Sequence, residues 1–402
     1  INNAENARVT VSACVFIGNW VENYGGGVNA ASGSVTTLTD CTFEANRAGI
    51  NGGGVHIGSC TVHVNGGELT GNHADNSSGA VHIYNSPDST LDDVVIRGNR
   101  ARWAGGAVNL HDSPVKITGC LFQANISDSN GGGLNAFGGA DATIAASTFD
   151  GNLASSDGGG LYTNSSSLTI ENCTFSANVS HSAGGAVGMW NGAAVSLVNC
   201  TLAGNRTHWE GGALRVPSGC EAATVNSIFW ANEVLWGGGS SQIGKADDAA
   251  VTVSDCLVKD GYAGGTNIHT ADPMLEPLHA NGGPVPTMAL PAASPAVDVA
   301  SAAEAPATDA RGILRPRGGG HDLGAYENDG ALAAWLEVAP EQVAGTAGPD
   351  NDFTDAVRLA STTGVDVQLT VTAPFRISLD SENWVDESGA LTVSAVDAAG
   401  GF

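Results

Sequence analysis

Tyr84, His111, Phe137, Asn164 and Trp190 recur at spacings of 26 or 27 residues, and His82, Asn109, Asn135 and Tyr162 precede the first four of them by two positions. Aromatic faces cover sugar C–H surfaces and amides bond hydroxyls, so these types in parallel columns point to recognition of an extended glycan. Followed along the chain, the two columns read Asn29, His56, His82, Asn109, Asn135, Tyr162, Gly188 and Arg215 beside Ala31, Gly58, Tyr84, His111, Phe137, Asn164, Trp190 and Pro217. None of these is Asp or Glu. Glycoside hydrolysis needs two carboxylates roughly 5–9.5 Å apart, so binding without turnover is the expectation, and the chain is read as no enzyme. Plain exposed strand residues are the alternative reading of the same columns, and His56 with His82 is the one pair here with metal-ligand chemistry.

Other residues carry possible chemistry. Asp350, Asp352 and Asp355 place carboxylates at close spacing on one loop, a pattern that suits Ca²⁺ in the extracellular range, with a solvated acidic surface as the alternative. Cys14, Cys41, Cys120, Cys173 and Cys200 share one phase of the repeat. Side chains stacked in parallel register point the same way and meet disulfide geometry poorly, so buried thiols are expected. Trp103, Trp209 and Trp236 also share a phase and are expected to pack over glycine corners, the alternative being anchors for a partner.

The elements that position these residues follow from a period of about 27 residues. Asn19, Asn46, Asn72, Asn99, Asn125, Asn152, Asn178, Asn205 and Asn232 are in phase; a large apolar residue sits three before each and a glycine seven after each, from Gly26 to Gly239. Between them lie three short runs that alternate at period two, such as Val55-His56-Ile57, Val62-His63-Val64 and Leu69-Thr70, and no window of helical period. Three strands per coil and about ten coils describe a right-handed parallel β-helix. The Asn column is expected to bond between coils and to accommodate a left-handed corner, and Gly to supply positive φ or close backbone approach.

Composition agrees with this all-β reading. Glycine, at 56 of 402 residues, is about twice its usual share. Fifteen Lys and Arg against 41 Asp and Glu give a net charge of −26, which repels phosphate backbones and excludes nucleic acid as an expected partner.

Phe43…Asn46, Phe122…Asn125, Phe149…Asn152 and Phe175…Asn178, alternating with Gly105-Gly106-Ala107-Val108, Gly184-Gly185-Ala186-Val187 and Gly211-Gly212-Ala213-Leu214, resemble the FxxN and GGA(I/L/V) repeats of polymorphic outer-membrane-type β-helical surface proteins. Past the repeat, Asp272-Pro273, Asn281-Gly282-Gly283-Pro284, Ser294-Pro295-Ala296-Val297-Asp298, Thr308-Asp309-Ala310-Arg311-Gly312 and Asp322-Leu323-Gly324-Ala325-Tyr326-Glu327 resemble the segment that closes β-helices of the choice-of-anchor Q group of bacterial surface proteins. The segment from Trp335 onward is similar to Ig-like modules of secreted bacterial proteins, though short for one.

These resemblances imply a β-helix over 1–271, a capping segment over 272–327 and a partial Ig-like β-sandwich over 328–402. They further imply an exported or cell-surface chain, a fragment of a longer one, acting as a rigid stalk or adhesin whose partners are extracellular polysaccharide or another cell's surface. The runner-up is a pectate lyase-like lyase or hydrolase, and the third reading is a self-associating filament subunit.

Overall fold

A computed structural model describes residues 1–86, 88–236 and 242–328, with four strands farther on. The backbone divides into two units, Ile1–Asp329 and Gly330–Phe402. The first is a parallel β-solenoid of three ten-stranded sheets and one nine-stranded sheet. Sheet A follows the glycines (Val81–Tyr84, Val108–His111, Leu134–Phe137, Leu161–Asn164), sheet B lies mid-repeat (Thr61–Asn65, Ser167–Glu171), and sheet C leads into the asparagine (Thr148–Asp150, Thr174–Ser176). Sheet D adds a short fourth strand to the three expected in each coil. Its strands, such as Arg47–Ala48, Arg100–Ala101 and Arg206–Thr207, are two residues long, too short for any alternation to register in the sequence.

Strict register builds the core. Phe122 pairs with Phe149 and Phe149 with Phe175; the rings stack at centroid distances of 4.4 and 4.7 Å with planes within 5°. Val81, Val108, Leu134 and Leu161 fill the facing side and are fully buried. The Asn column forms a hydrogen-bonded ladder: the side-chain amide and backbone N–H of Asn125 both donate to Asn152 Oδ1, at 2.9 and 3.0 Å, and the same amide donates back to Ile96 O at 2.9 Å. The left-handed corner falls one residue earlier than expected, on Gly98, Ala124, Gly151 and Ala177, which leaves the asparagine free to aim its amide along the rod axis. Gly53 and its equivalents are needed for close approach, since a Cβ there would strike the carbonyl of Gly79 on the next coil. Gly239 lies outside the described residues.

All eight cysteines are free, and all but Cys14 are buried. Burial pushes the thiols of Cys120 and Cys200 up to about 12, which removes the thiolate that thiol chemistry requires.

The rod's last coil is covered by Thr266 and His269, which bridge to Ser254 and Leu257. Residues 272–327 do not stack on that end. They run along the outer face of sheet C, where Leu290, Ala296, Leu323 and Tyr326 form a second core with Ile228 and Leu257. A second asparagine column, absent from the expectations, holds this strap: Asn172 donates to Thr308 O at 2.8 Å, Asn199 to Asp322 O at 3.0 Å, and Asn226 to Ser301 O at 2.9 Å. Inside the strap the buried Arg315 guanidinium meets the Glu327 carboxylate at 2.7 Å. In the second unit Val367–Val371 pairs antiparallel with Leu391–Ala395, and Phe375–Asp380 with Asn383–Glu387. Asp350, Asp352 and Asp355 lie outside the described residues.

Candidate functional site

Both candidate columns lie on the outward side of sheet A, and the structure separates them. The residue six after each ladder Asn, among them Gly52, Ser78, Gly105, Gly131 and Gly158, has positive φ and folds the chain back over the strand that follows. A Cβ at Gly105 would lie 3.0 Å from Asn109 Cβ, and one at Gly158 2.8 Å from Tyr162 Cβ. His82, Asn109, Asn135 and Tyr162 are therefore buried beneath the turns and are not a surface. Gly188 has no side chain because a Cβ would meet Gly158 N at 2.8 Å. The sequence signal was the residue six after each Asn, glycine in every coil except at Ser78, which breaks the symmetry of the strand's outer face.

The covered column is a line of polar contacts. Asn29 Oδ1 lies 2.9 Å from His56 Nδ1, Asn109 Nδ2 lies 3.2 Å from His82 Nδ1, and Asn135 Nδ2 donates to Asn109 Oδ1. Burial lowers the pKa of His82 to about 3, aided by the charges of His56 and His111, and burial lowers His56 to about 4. The two imidazoles stack face to face at 5.3 Å, so their in-plane lone pairs do not converge on one ion. Among the described residues no group of three or more His, Cys, Asp or Glu is placed to hold a metal.

The other column stays open. Tyr84 and Trp190 are 41% and 56% exposed, with His111, Phe137 and Asn164 half-buried between them. Tyr84 lies 4.9 Å from the His111 ring, and His111 stacks on Phe137 at 3.9 Å. This is one aromatic stripe running along the rod, not a two-walled groove.

Such an in-register solenoid is what the family comparison describes as well. The model for the right-handed β-helix region matches residues 68–233 and 107–275, which together take in just over half the chain. The chain belongs to the right-handed β-helix family. No curated protein and no solved structure matches it.

On this β-helix two further features escaped the strand columns. The turns over sheet A carry Asp157 and Glu210, two coils apart; Asp157 Oδ1 accepts the N–H of Ala183 at 2.9 Å and Glu210 pairs with Arg215 at 2.9 Å. They belong to the turn, five after the ladder Asn, which is why counting strand positions missed them. Trp103, Trp209 and Trp236 do not pack over the glycine corners. They are 61%, 57% and 69% exposed, on the flank beside sheet D.

Proposed function

We propose that this β-helix is a non-catalytic, exported rod, a stalk or adhesin of the bacterial surface, that binds an extended polysaccharide along the open stripe of sheet A. The observation that carries the reading is the aromatic run in which Tyr84 tilts against His111 and His111 stacks on Phe137, continued in register by Asn164 and Trp190. Coils repeat at ~4.8 Å, comparable to the length of a pyranose ring, so successive side chains can meet successive sugars and weak contacts add along one polymer. In this reading the strap over residues 272–327 is the choice-of-anchor-type segment, the FxxN and GGA repeats mark a surface protein, and the antiparallel second unit is an Ig-like spacer. Asp350, Asp352 and Asp355 are its Ca²⁺ candidate. A glycan array comparing the wild type with Tyr84→Ala/Trp190→Ala tests the stripe: retention by the wild type and loss in the variant support it, whereas equal retention removes it.

One observation favours a second reading, a pectate lyase-like hydrolase. Asp157 and Glu210 stand two coils apart, a rise of ~9.6 Å, close to the separation of an inverting pair. Release of reducing ends from a polysaccharide panel, abolished by Asp157→Asn or Glu210→Gln, supports that reading; no release by the wild type leaves the binding rod.

A further inference from the structure

We infer that the sheet D flank is a second polysaccharide platform, selective for uncharged polymers, with its strongest subsite at the corner formed by Trp209 and Trp236. The inference rests on the proposed reading that the rod binds glycans, and adds a separate surface on a different face. Trp20, Trp103, Trp209 and Trp236 are each 57–69% exposed on this flank. Contiguous exposed aromatic surface marks interaction sites, whereas apolar residues scattered singly do not.

Near the C-terminal coils the aromatic surface becomes a constructed corner. His181 stacks on His208 at 5.0 Å with planes 1° apart, and His208 stacks on Trp236 at 3.9 Å. Trp209 stands edge-on to Trp236 at 84° and 6.3 Å. The imidazoles back the Trp236 ring from one side, and the two exposed indoles meet at right angles. A sugar ring offers an apolar C–H face to an exposed indole, and the Arg206–Glu233 pair, closed at 3.0 Å, lies on the sheet D strands three residues before each tryptophan.

Charge and shape select the occupant. The chain carries −26 overall, yet the flank's Arg47, Arg100 and Arg206 are each paired with a carboxylate of a following coil, Asp75, Asp128 and Glu233. With three of its arginines paired and Arg102 the one described arginine there without an ion pair, the flank of this strongly acidic molecule disfavours a polyanion and suits a neutral polymer. Sheet D strands are two residues wide. That gives a ribbon of ~7 Å, narrow for the ~800 Å² per partner of a stable protein interface. Trp20 and Trp103 lie on coils one and four, and Trp209 and Trp236 on coils eight and nine, so a straight polymer can lie over all four.

Affinity electrophoresis of the whole chain through hydroxyethyl cellulose, laminarin and polygalacturonate tests this, with Trp209→Ala/Trp236→Ala, Tyr84→Ala/Trp190→Ala and wild type side by side. Thermal melts confirm that each exposed-site variant folds. Retardation by a neutral polymer and not by polygalacturonate, weakened about tenfold or more in the Trp209/Trp236 variant and less in the Tyr84/Trp190 variant, supports the inference. Weakening only in the Tyr84/Trp190 variant overturns it and leaves the sheet A reading standing. No retardation by either neutral polymer, or retardation by polygalacturonate alone, overturns it too, as does a wild-type dimer that the Trp209/Trp236 variant converts to monomer.

Discussion

The outer face of sheet C is two surfaces on one backbone. In the first coils it is bare: Val15 and Ile17 are both 60% exposed, and Arg97 and Glu68 close an exposed ion pair at 2.9 Å. In the later coils the equivalent Thr148, Thr174, Thr201, Ile228 and Leu257 are buried under the strap. Parallel in-register pairing and a buried apolar inward column run through both halves, because the ladder and the apolar column set them. The outward side chains alone decide whether a stretch of the rod meets solvent or a partner, and here the partner is the chain's own downstream segment.

Breaking the strap should have the largest effect. Glu327→Ala leaves Arg315 buried without its carboxylate, at a cost of about 3–5 kcal/mol; limited proteolysis is expected to remove the strap while the coils before Thr148 stay protected. Asn125→Ala tests what the two halves share. It unpairs polar groups on both neighbouring coils and should cost about 1–3 kcal/mol in denaturant midpoint, against little for Asn23→Ala on an exposed turn.

Acid should act on the two covers with opposite sign. His82 has a folded pKa of about 3, below its unfolded value, so its stability is complete above pH ~6.5 and falls as pH drops, by about 2 kcal/mol at pH 5. Asp322 in the strap is raised to about 7, chiefly by burial, so its site is most stable below pH ~4 and weakens as pH rises toward 7. Melts from pH 7 to 5 should show the global midpoint falling, and that slope should shrink in His82→Asn, which places in this coil the amide that Asn109 and Asn135 supply in the next two. Strap proteolysis should slow over the same range. The smallest effect belongs to the bare half: Glu68→Ala should change the midpoint by less than about 0.5 kcal/mol.

Much of this was legible from spacing. The Phe16-to-Phe229 column, the Asn ladder and the glycine seven after each Asn recur in the sequence because every coil repeats one set of inward contacts. Sheet D left no trace, since two residues cannot display a period. The covering of His82, Asn109, Asn135 and Tyr162 was written in Ser78, Gly105, Gly131 and Gly158 but reads as a turn until the direction of that turn is known. Asn172, Asn199 and Asn226 are themselves in phase, yet nothing local says that their amides bond residues 75 to 136 positions away.

The sequence by itself determined the solenoid: a repeat whose inward positions are apolar and whose corners are Gly, Ala and Asn can bury its core by stacking copies of itself and in no other way. Which outward residues meet water was decided by tertiary structure. The strap lies along sheet C instead of across the rod's end, the turns close over one column of sheet A, and the tryptophans of sheet D stand clear. Inward contacts repeat from coil to coil and so appear as periods, whereas the strap's contacts join segments far apart in the chain and exist only once the rod has formed.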